Sequence, residues 1–370
     1  MKIVFICGSI EPGKDGVGDY TRRLCAQLIK NQIKVGILSY NDKFITQHTE
    51  EFQEADGVQV SCYRLPKQYK ANTRCQLALT WVNKKNPDWL SLQFVPYAFQ
   101  NKGLPFGLAR QLFKIGNGRL WHIMCHELWI GMSYESPKKE VVVGLIQRTI
   151  IKQLITKLAP KILHTQTQLY KLYLKQLGFQ AKLLPLFSNI AVNKDNLINL
   201  DIELPDNYAV VFGGIHHFAP VEDFVNELKS IPKAKNYALV TIGRNGSELA
   251  LWNKAWKEAG FNVLNLGEQD TIVISRVLAK ATLGISTTPM ALVEKSGALA
   301  AKQSHGLPVI CLSRPWHPRG IFNDWKVYGI LDYKKGELNS HFDAFVKEVK
   351  TDNSVVTTSN LFLKSLKTTR

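Results

Sequence analysis

The stretch ISTTPMALVEKSGALAAKQSHGLPVICL, residues 285–312, decides the fold. An apolar strand ends at Ser286, a helix of small residues follows Gly297, and Gly306 precedes a second apolar run that has the length of a strand. Strand, helix and strand in this order predict two parallel strands joined by a crossover helix.

The turn before that helix carries the polar residues of the stretch. Ser296 can cap the helix, and the first N–H groups of the helix can receive a phosphate to which Lys295 adds positive charge. Glu294 accepts hydrogen bonds when it is ionised and can therefore bind sugar hydroxyl groups. The turn has the chemistry needed to hold a phosphate and a sugar together.

The same alternation runs through the rest of the chain, on both sides of a polar stretch between Pro185 and Pro205. Apolar runs that predict strands lie at residues 2–8, 34–40, 58–63, 89–94, 120–125, 161–165 and 181–184, and then at residues 208–213, 237–242, 262–266, 283–286 and 308–312. Parallel sheets of this kind bind ligands at the carboxyl ends of their strands.

The length of the chain fits two α/β domains, since it has 370 residues of which 45% are apolar. The predicted organisation is an N-terminal Rossmann-like domain at residues 1–187, a linker at residues 188–207, a C-terminal Rossmann-like domain at residues 208–335, and a helical segment at residues 336–370 that packs back on the first domain.

Composition argues against several classes of protein. The six cysteines form no C-x-x-C pair and no metal-ligand spacing with histidine, so we expect neither a zinc site nor a disulfide framework. The apolar start MKIVFIC is short and runs into a glycine-rich turn, and no run of about 18 apolar residues follows it. We therefore expect a cytoplasmic protein.

Positive charge is concentrated in the first half of the chain. Residues 1–190 hold 26 Lys and Arg against 12 Asp and Glu, and the whole chain has a net charge of +17. Residues 138–161 have the pattern of a basic helix with an apolar stripe. The charge suggests an anionic partner, which could be nucleic acid, acidic lipid headgroups or a phosphate-bearing acceptor, unless it is simply a solvated surface. The helix could lie on the anionic cytoplasmic face of a membrane or face a lipid-linked acceptor, unless its stripe covers a sheet.

Three further loops that follow predicted strands carry candidate site residues. The glycine-rich loop at residues 8–18 allows close approach to a phosphate or a sugar, although it matches no phosphate-loop spacing and a plain connection is the alternative. His126 and Glu127 can orient hydroxyl groups and transfer protons, unless the histidine is paired with backbone. Arg244 can bind diphosphate oxygens bidentately, unless it is a surface arginine in a turn.

In their order along the chain, these motifs resemble the glycosyltransferases of the GT-B fold, and among them the retaining family 4. The similarity is carried by GVGDYTRRL at residues 16–24, HE at residues 126–127, FGGI at residues 212–215, IGR at residues 242–244, and E-x-S-G followed by HGLPV in the opening stretch. The resemblance implies an α/β GT-B fold, in which two Rossmann-like domains with parallel sheets face a central cleft.

The resemblance also implies an activity. It is that of a metal-independent hexosyltransferase, which moves a sugar from a UDP- or GDP-linked donor to a glycan or lipid-linked acceptor with retention of configuration, in cell-surface polysaccharide or glycoconjugate synthesis. The second domain would bind the donor and the first the acceptor. A resident cofactor and nucleic acid are not expected.

The resemblance assigns roles to individual residues. Catalytic roles fall to His126, Glu127 and Glu294, donor binding to Gly16, Val17, Gly18, Gly214, His216, Arg244, Lys295, Ser296 and Gly297, and acceptor binding to Asp19, Tyr20 and Trp129. Arg244 and the turn at residues 295–297 are expected to converge on a pyrophosphate in the cleft.

Two departures from the family pattern keep other functions open. The family's second glutamate, eight positions after the first, is replaced by Lys302, and the usual Arg and Lys after the first strand of the second domain are replaced by GIHHFAP at residues 214–220. A non-catalytic glycosyltransferase-like binding protein is therefore an alternative. A nicotinamide-dependent oxidoreductase is disfavoured because no dinucleotide fingerprint follows the first strand.

Overall fold

The structure is a computed structural model that describes residues 1–192, 202–345 and 354–368. Within these ranges the chain forms two compact units. Unit 1 comprises Met1–Pro185, Pro318–Ile321 and the chain from Val355 onward, and unit 2 comprises Leu186–His317 and the chain from Phe322 to Ser354. Parts of the expected linker (residues 193–201) and of the expected C-terminal helical segment (residues 346–353 and 369–370) lie outside the described residues.

Each unit is built on one sheet. The strands of unit 1 are β1 (Lys2–Cys7), β2 (Lys34–Asp42), β3 (Thr49–Ala55), β4 (Val58–Pro66), β5 (Trp89–Phe94), β6 (Leu120–Cys125), β7 (Ile162–Thr165) and β8 (Lys182–Leu183). Those of unit 2 are β9 (Tyr208–Phe212), β10 (Ala238–Ile242), β11 (Asn262–Asn265), β12 (Leu283–Ser286), β13 (Val309–Cys311) and β14 (Ile330–Asp332).

The helices alternate with these strands along most of the chain. In order they are α1 (Gly16–Lys30), α2 (Ala71–Lys85), α3 (Pro96–Phe99), α4 (Leu108–Gly116), α5 (Lys138–Leu158), α6 (Gln168–Gln176), α7 (Val221–Ser230), α8 (Leu249–Glu258), α9 (Thr271–Lys280), α10 (Gly297–Ser304), α11 (Leu338–Phe345) and α12 (Val355–Lys367). Within the described ranges, none of them has both the length and the apolar content required to cross a bilayer.

The sheet of unit 1 has the strand order β3-β4-β2-β1-β5-β6-β7-β8. All neighbouring strands run parallel except β3 and β4, which are antiparallel. The central strands are apolar runs with almost no exposed residue, as expected for a parallel sheet covered on both faces. The predicted parallel sheet is thereby confirmed, and the carboxyl ends of its strands share one edge.

Two segments distant in sequence complete unit 1. Helix α12 packs on α1, and its fully buried Phe362 lies 5.7 Å from the ring of Phe5 and 5.0 Å from that of His122. Residues 318–321 also belong to this unit, where Arg319 donates to the carbonyl of Ser133 at 2.8 Å. The last helix is therefore part of the core of unit 1.

The sheet of unit 2 has the order β11-β10-β9-β12-β13-β14, and every pair is parallel. One face carries an aromatic core around Phe224, Trp252 and Trp256, all of them fully buried. Because β9 lies between β10 and β12, the loops that leave the carboxyl ends of these three strands are neighbours. These are the loops that carry the predicted donor-binding residues.

Candidate functional site

In unit 2, three loops adjoin at the carboxyl edge of the sheet. Gly243, which follows β10, lies against Gly213, which follows β9: a Cβ on Gly243 would be 3.5 Å from the Gly213 nitrogen. A Cβ on Gly213 would be 3.6 Å from the Cβ of Ala298, in the first turn of α10. Both glycines have positive φ (87° and 83°), a conformation that favours glycine. Three predicted donor-binding segments therefore meet around Gly213.

The first turn of α10 presents several groups that suit an anion. Ser296 caps the helix as the sequence predicts, with its Oγ accepting from the Leu299 N–H at 3.2 Å. Gly297 is exposed, and the space where its Cβ would stand is open. Lys295 and Glu294, both half-buried, end the 3₁₀ helix that precedes the cap. A cation, a hydroxyl group and exposed backbone thus lie at one helix start.

Arg244 lies on the other side of the β9 loop from α10. Its Nε donates to the Glu268 carboxylate at 2.8 Å, and the two side chains are 72% and 64% exposed. An ion pair this exposed contributes only about 0–1 kcal/mol, so a diphosphate can compete for the guanidinium. Gly214, between Arg244 and α10 along this edge, is exposed and has open space beside it.

Two buried polar residues that we did not predict hold these loops together. The side-chain amide of Asn245 donates to the Gly213 backbone carbonyl at 2.8 Å, and the backbone carbonyl of Asn245 accepts from the Ile215 N–H at 3.0 Å. The Thr287 hydroxyl accepts from the His216 N–H at 2.9 Å and lies 3.1 Å from the His216 Nδ1. Their positions in the sequence could have indicated them, because Asn245 follows β10 and Thr287 follows β12 within a few residues.

In unit 1, His126 directly follows β6 and is 5% exposed. Its Nδ1 accepts from the side-chain amide of Gln166 at 3.1 Å, and its Nε2 donates to the side-chain oxygen of Gln93 at 2.9 Å. Burial lowers the pKa of His126 to about 3, so the ring is neutral. Both ring nitrogens are engaged in hydrogen bonds, so proton transfer by His126 would require one of these bonds to break, and this role stays a prediction. Glu127 is half-buried beside it.

The hydrogen bonds continue from Gln93 to helix α12 through the interior of unit 1. Gln93 donates to Ser91 at 2.8 Å, the Ser91 hydroxyl donates to His122 Nδ1 at 2.7 Å, and His122 Nε2 donates to His164 Nδ1 at 3.0 Å. His164 Nε2 then reaches the Ser365 hydroxyl at 3.3 Å. Each group donates to the next, an order that requires neutral histidines.

This series of hydrogen bonds makes the stability of unit 1 depend on pH. Burial lowers the pKa of all three histidines: the pKa of His126 falls to about 3 and that of His164 to about 4, and the pKa of His122 is also lowered. In the unfolded protein a histidine has a pKa of about 6.5. The free energy of unfolding should therefore fall as the pH drops below about 6.5, by up to about 1.4 kcal/mol per pH unit for each histidine. Urea unfolding at several pH values measures this slope.

The variant His164→Gln provides the comparison, since it removes one of the three titrating rings. We expect it to have a shallower pH dependence than the wild type over the same range. Equal slopes in the two proteins would contradict a neutral His164.

The start of α1 differs from the expectation. Asp15 caps this helix and accepts from the Val17 N–H at 3.0 Å and from the Gly18 N–H at 2.9 Å. These two N–H groups are therefore not available to a phosphate, and a carboxylate occupies the place expected for one. Gly18 is required by packing, because a Cβ would lie 2.6 Å from the Ser9 carbonyl oxygen. Gly16 is exposed, with open space beside it.

The three predicted acceptor residues have different environments. Tyr20 is only 2% exposed and packs edge to face on His126, which is the environment of a core residue and does not favour the predicted acceptor contact. Asp19 is half-buried and forms an ion pair with Arg22. Trp129 is half-buried, with its ring 5.2 Å from that of Tyr173. For Asp19 and Trp129 acceptor binding stays a prediction. In the described part of the chain, no group of His, Cys, Asp and Glu is arranged to hold a metal ion.

Comparison with known proteins gives matches among solved structures. No family profile and no curated protein sequence matches the chain. The lipopolysaccharide outer core galactosyltransferase WaaB in its apo form is similar at a TM-score of 0.53 and 16% identity, over 100% of this chain and 99% of that one. Alr3699/HepE of Anabaena, in complex with UDP and glucose, is similar at a TM-score of 0.57 and 14% identity, over 99% of both chains.

Enzymes of another class share this architecture. The UDP-GlcNAc 2-epimerase of Neisseria meningitidis, bound to UDP-GlcNAc, is similar at a TM-score of 0.54 and 10% identity over 100% of both chains. At such identities the similarity concerns the fold alone. The chain therefore has the GT-B fold, with two Rossmann-like domains, in common with these glycosyltransferases and epimerases.

Proposed function

We propose that the chain is a glycosyltransferase whose nucleotide diphosphate sugar binds at the carboxyl edge of unit 2. The observation that carries the proposal is the meeting of three loops around Gly213. The same loops carry the exposed backbone of Gly214 and Gly297 and the cations Arg244 and Lys295. Two of the similar structures support the choice of donor, since one contains UDP and glucose and the other UDP-GlcNAc.

The reaction breaks the bond between the anomeric carbon and the diphosphate oxygen and joins that carbon to an acceptor hydroxyl oxygen, whose proton would pass to the leaving diphosphate. Negative charge grows on the leaving diphosphate, where Arg244, Lys295 and the first N–H groups of α10 would stabilise it. Glu294 would bind hydroxyl groups of the transferred hexose. Retention of configuration, independence from metal and a glycan or lipid-linked acceptor are proposals that rest on the resemblance to family 4.

Nucleotide binding tests the proposed function. In calorimetric titrations with UDP, GDP, ADP and NAD, we expect binding of UDP or GDP. In a separate assay, the nucleotide sugar with the same base should slowly release its sugar. Conversion of UDP-GlcNAc to its epimer without an acceptor would indicate an epimerase instead. Absence of binding for every nucleoside diphosphate would overturn the proposal.

A basic surface with exposed apolar side chains on helices α4 and α5 supports the second part of the proposal, a peripheral position on an anionic membrane. Residues 102–161 hold ten Lys and Arg against three Asp and Glu, and a groove of about 840 Å³ lies between the two helices. Large apolar side chains are exposed on these helices and just before α4: Phe106 (68%), Phe113 (51%), Val142 (58%), Leu145 (57%) and Ile146 (38%). Exposed apolar groups flanked by lysines suit the boundary between headgroups and acyl chains.

Flotation with vesicles tests this surface. The chain should float with phosphatidylglycerol vesicles at low salt and not with phosphatidylcholine vesicles. In the double variant Leu145→Glu and Ile146→Glu, binding should be weaker by about ten-fold or more because two apolar contacts are replaced by negative charge. Ile272→Glu, at a position of unit 2 that is 44% exposed, serves as the control. Equal flotation of the three proteins would remove the membrane from the proposal.

A further inference from the structure

The exposed face of helix α5 changes in character along the helix axis. Val142, Leu145 and Ile146 are exposed in the first half of the helix. Lys152 and Lys157 are exposed in the second half. Because residues three, four and seven apart lie on one face of a helix, these side chains form a single stripe opposite the buried face. At 1.5 Å per residue, Leu145 and Lys152 are about 10 Å apart along the axis.

The groove between α4 and α5 opens beside the cationic half of this stripe. Arg110 and Phe113 of α4 line one side, and Thr149, Lys152 and Lys157 of α5 line the other. Its volume of about 840 Å³ lies within the range of about 300–1,000 Å³ that is usual for small-molecule sites. There is therefore open space beside these cations, and it has the size needed for a small ligand.

The positive charges around the groove are not compensated. Arg110, Lys152 and Lys157 are exposed, and in the described part of the chain none of them forms an ion pair. The Lys157 ammonium lies 4.4 Å from the centre of the Phe113 ring, which is neutral. Helix α4 has no acidic residue, and the one in α5 is Glu140, about 18 Å along the axis from Lys152. Three cations around one open space attract an anion.

The other end of the groove is apolar. A smaller cavity of about 40 Å³ adjoins it at the amino end of α4, where Phe106 and Ile150 are among the lining residues. Phe106 is 68% exposed. On α5, Thr149 lies one turn after Leu145 and donates from its hydroxyl to the Leu145 carbonyl at 3.1 Å. Apolar surface therefore continues from the groove toward Phe106 and Leu145.

The order of these groups indicates the kind of ligand. A helix that lies flat on a membrane carries its apolar and basic residues on different faces around the axis. In α5 both kinds share the exposed face and follow one another along it. A molecule that matches this order has a negative group at one end and an apolar part at the other, and an anionic phospholipid has this form.

We propose that the groove between α4 and α5 binds one anionic phospholipid molecule. Its phosphate lies between Arg110, Lys152 and Lys157, which donate to the phosphate oxygens, and its acyl chains extend toward Phe106 and Leu145. The choice of a membrane lipid as the occupant rests on the peripheral membrane position in the proposed function. The inference narrows that position from a general attraction to anionic surfaces to a site for a single lipid.

Calorimetric titration of the full chain with dihexanoyl phosphatidylglycerol, below the concentration at which this lipid forms micelles, tests the groove without a membrane. We expect saturable binding of one lipid molecule. Dihexanoyl phosphatidylcholine has the same chains but no net charge, and glycerol 1-phosphate has a phosphate but no chains. Each of these two probes should bind more weakly by about ten-fold or more, because each lacks one of the two parts that the groove contacts.

Two variants and a control locate the binding. The double variant Lys152→Gln and Lys157→Gln should weaken binding of phosphatidylglycerol by about ten-fold or more, since each lysine contributes a factor of about five. Phe106→Ala should also weaken it, because the chains lose an apolar contact. The matched control is Lys138→Gln with Lys139→Gln, which removes the same charge from exposed positions in the first turn of α5 and should bind the lipid as the wild type does.

Three results would overturn the inference: no binding of phosphatidylglycerol to the wild type, equal weakening in the two lysine double variants, or equally tight binding of glycerol 1-phosphate. Flotation and UDP binding are measured on the same preparations. Intact flotation and UDP binding without binding of the single lipid would remove the groove site and leave the proposed function standing. Binding of the single lipid without flotation would support the groove site and remove the peripheral position.

Discussion

Replacing Lys295 by alanine should lower the rate of donor cleavage by about 100- to 1,000-fold, the usual cost of removing a group that stabilises developing charge. Lys295 stands directly before the Ser296 cap of α10, beside the exposed backbone of Gly297. Its ammonium group would face the diphosphate as the bond to the sugar breaks. Because charge on the leaving group grows in the transition state, kcat should fall more than KM rises.

Release of nucleoside diphosphate at saturating donor measures this effect. Lys280→Ala is the control, since Lys280 is an exposed lysine at the end of α9, just before the amino end of β12 and so away from the carboxyl edge. Unchanged kcat in Lys295→Ala, with the control also unchanged, would show that the diphosphate does not lie at the start of α10.

Replacing Phe362 by alanine should destabilise unit 1 by about 3–5 kcal/mol, the range for truncating a large buried aromatic side chain. The Phe362 ring is fully buried between α12 and the sheet, in contact with Phe5 and with His122 of the hydrogen-bonded chain. Its removal leaves a cavity and loosens the helix that carries Ser365. Hydrogen exchange of α12 and β1, together with urea unfolding, measures the loss.

Leu361→Ala gives the comparison in the same helix. Leu361 is 40% exposed, so its truncation should change the stability by no more than about 0.5 kcal/mol. If the two variants lost the same amount of stability, or if α12 exchanged as slowly in Phe362→Ala as in the wild type, the docking of this helix would not depend on Phe362.

The strands were predictable from the sequence because most of them are uninterrupted apolar runs. Trp89–Phe94, Leu120–Cys125 and Leu283–Ser286 have the predicted bounds, and their residues are buried except for the half-buried Leu120. Strand β3 was not predicted: its sequence TEEFQEA places charged residues on an exposed face at the edge of the sheet. Strand β14 has only three residues, too few to show a period.

The site was predictable only where a motif lies within one loop. The cap at Ser296 could be read from its neighbours, and so could the cap at Asp15, since an aspartate directly before the helix is a standard signal. The hydrogen bonds of His126 could not be predicted, because they depend on Gln93 and Gln166, which the sheet brings from two other strand ends.

The position of α12 also determines when the core of unit 1 can be completed during synthesis. Phe5 leaves the ribosome well before its partner Phe362, which is added after the whole of unit 2. Until α12 has been synthesised, unit 1 therefore has an apolar strip on β1 that this helix does not yet cover. Such a strip is a natural binding site for a chaperone, and its closure marks the end of folding.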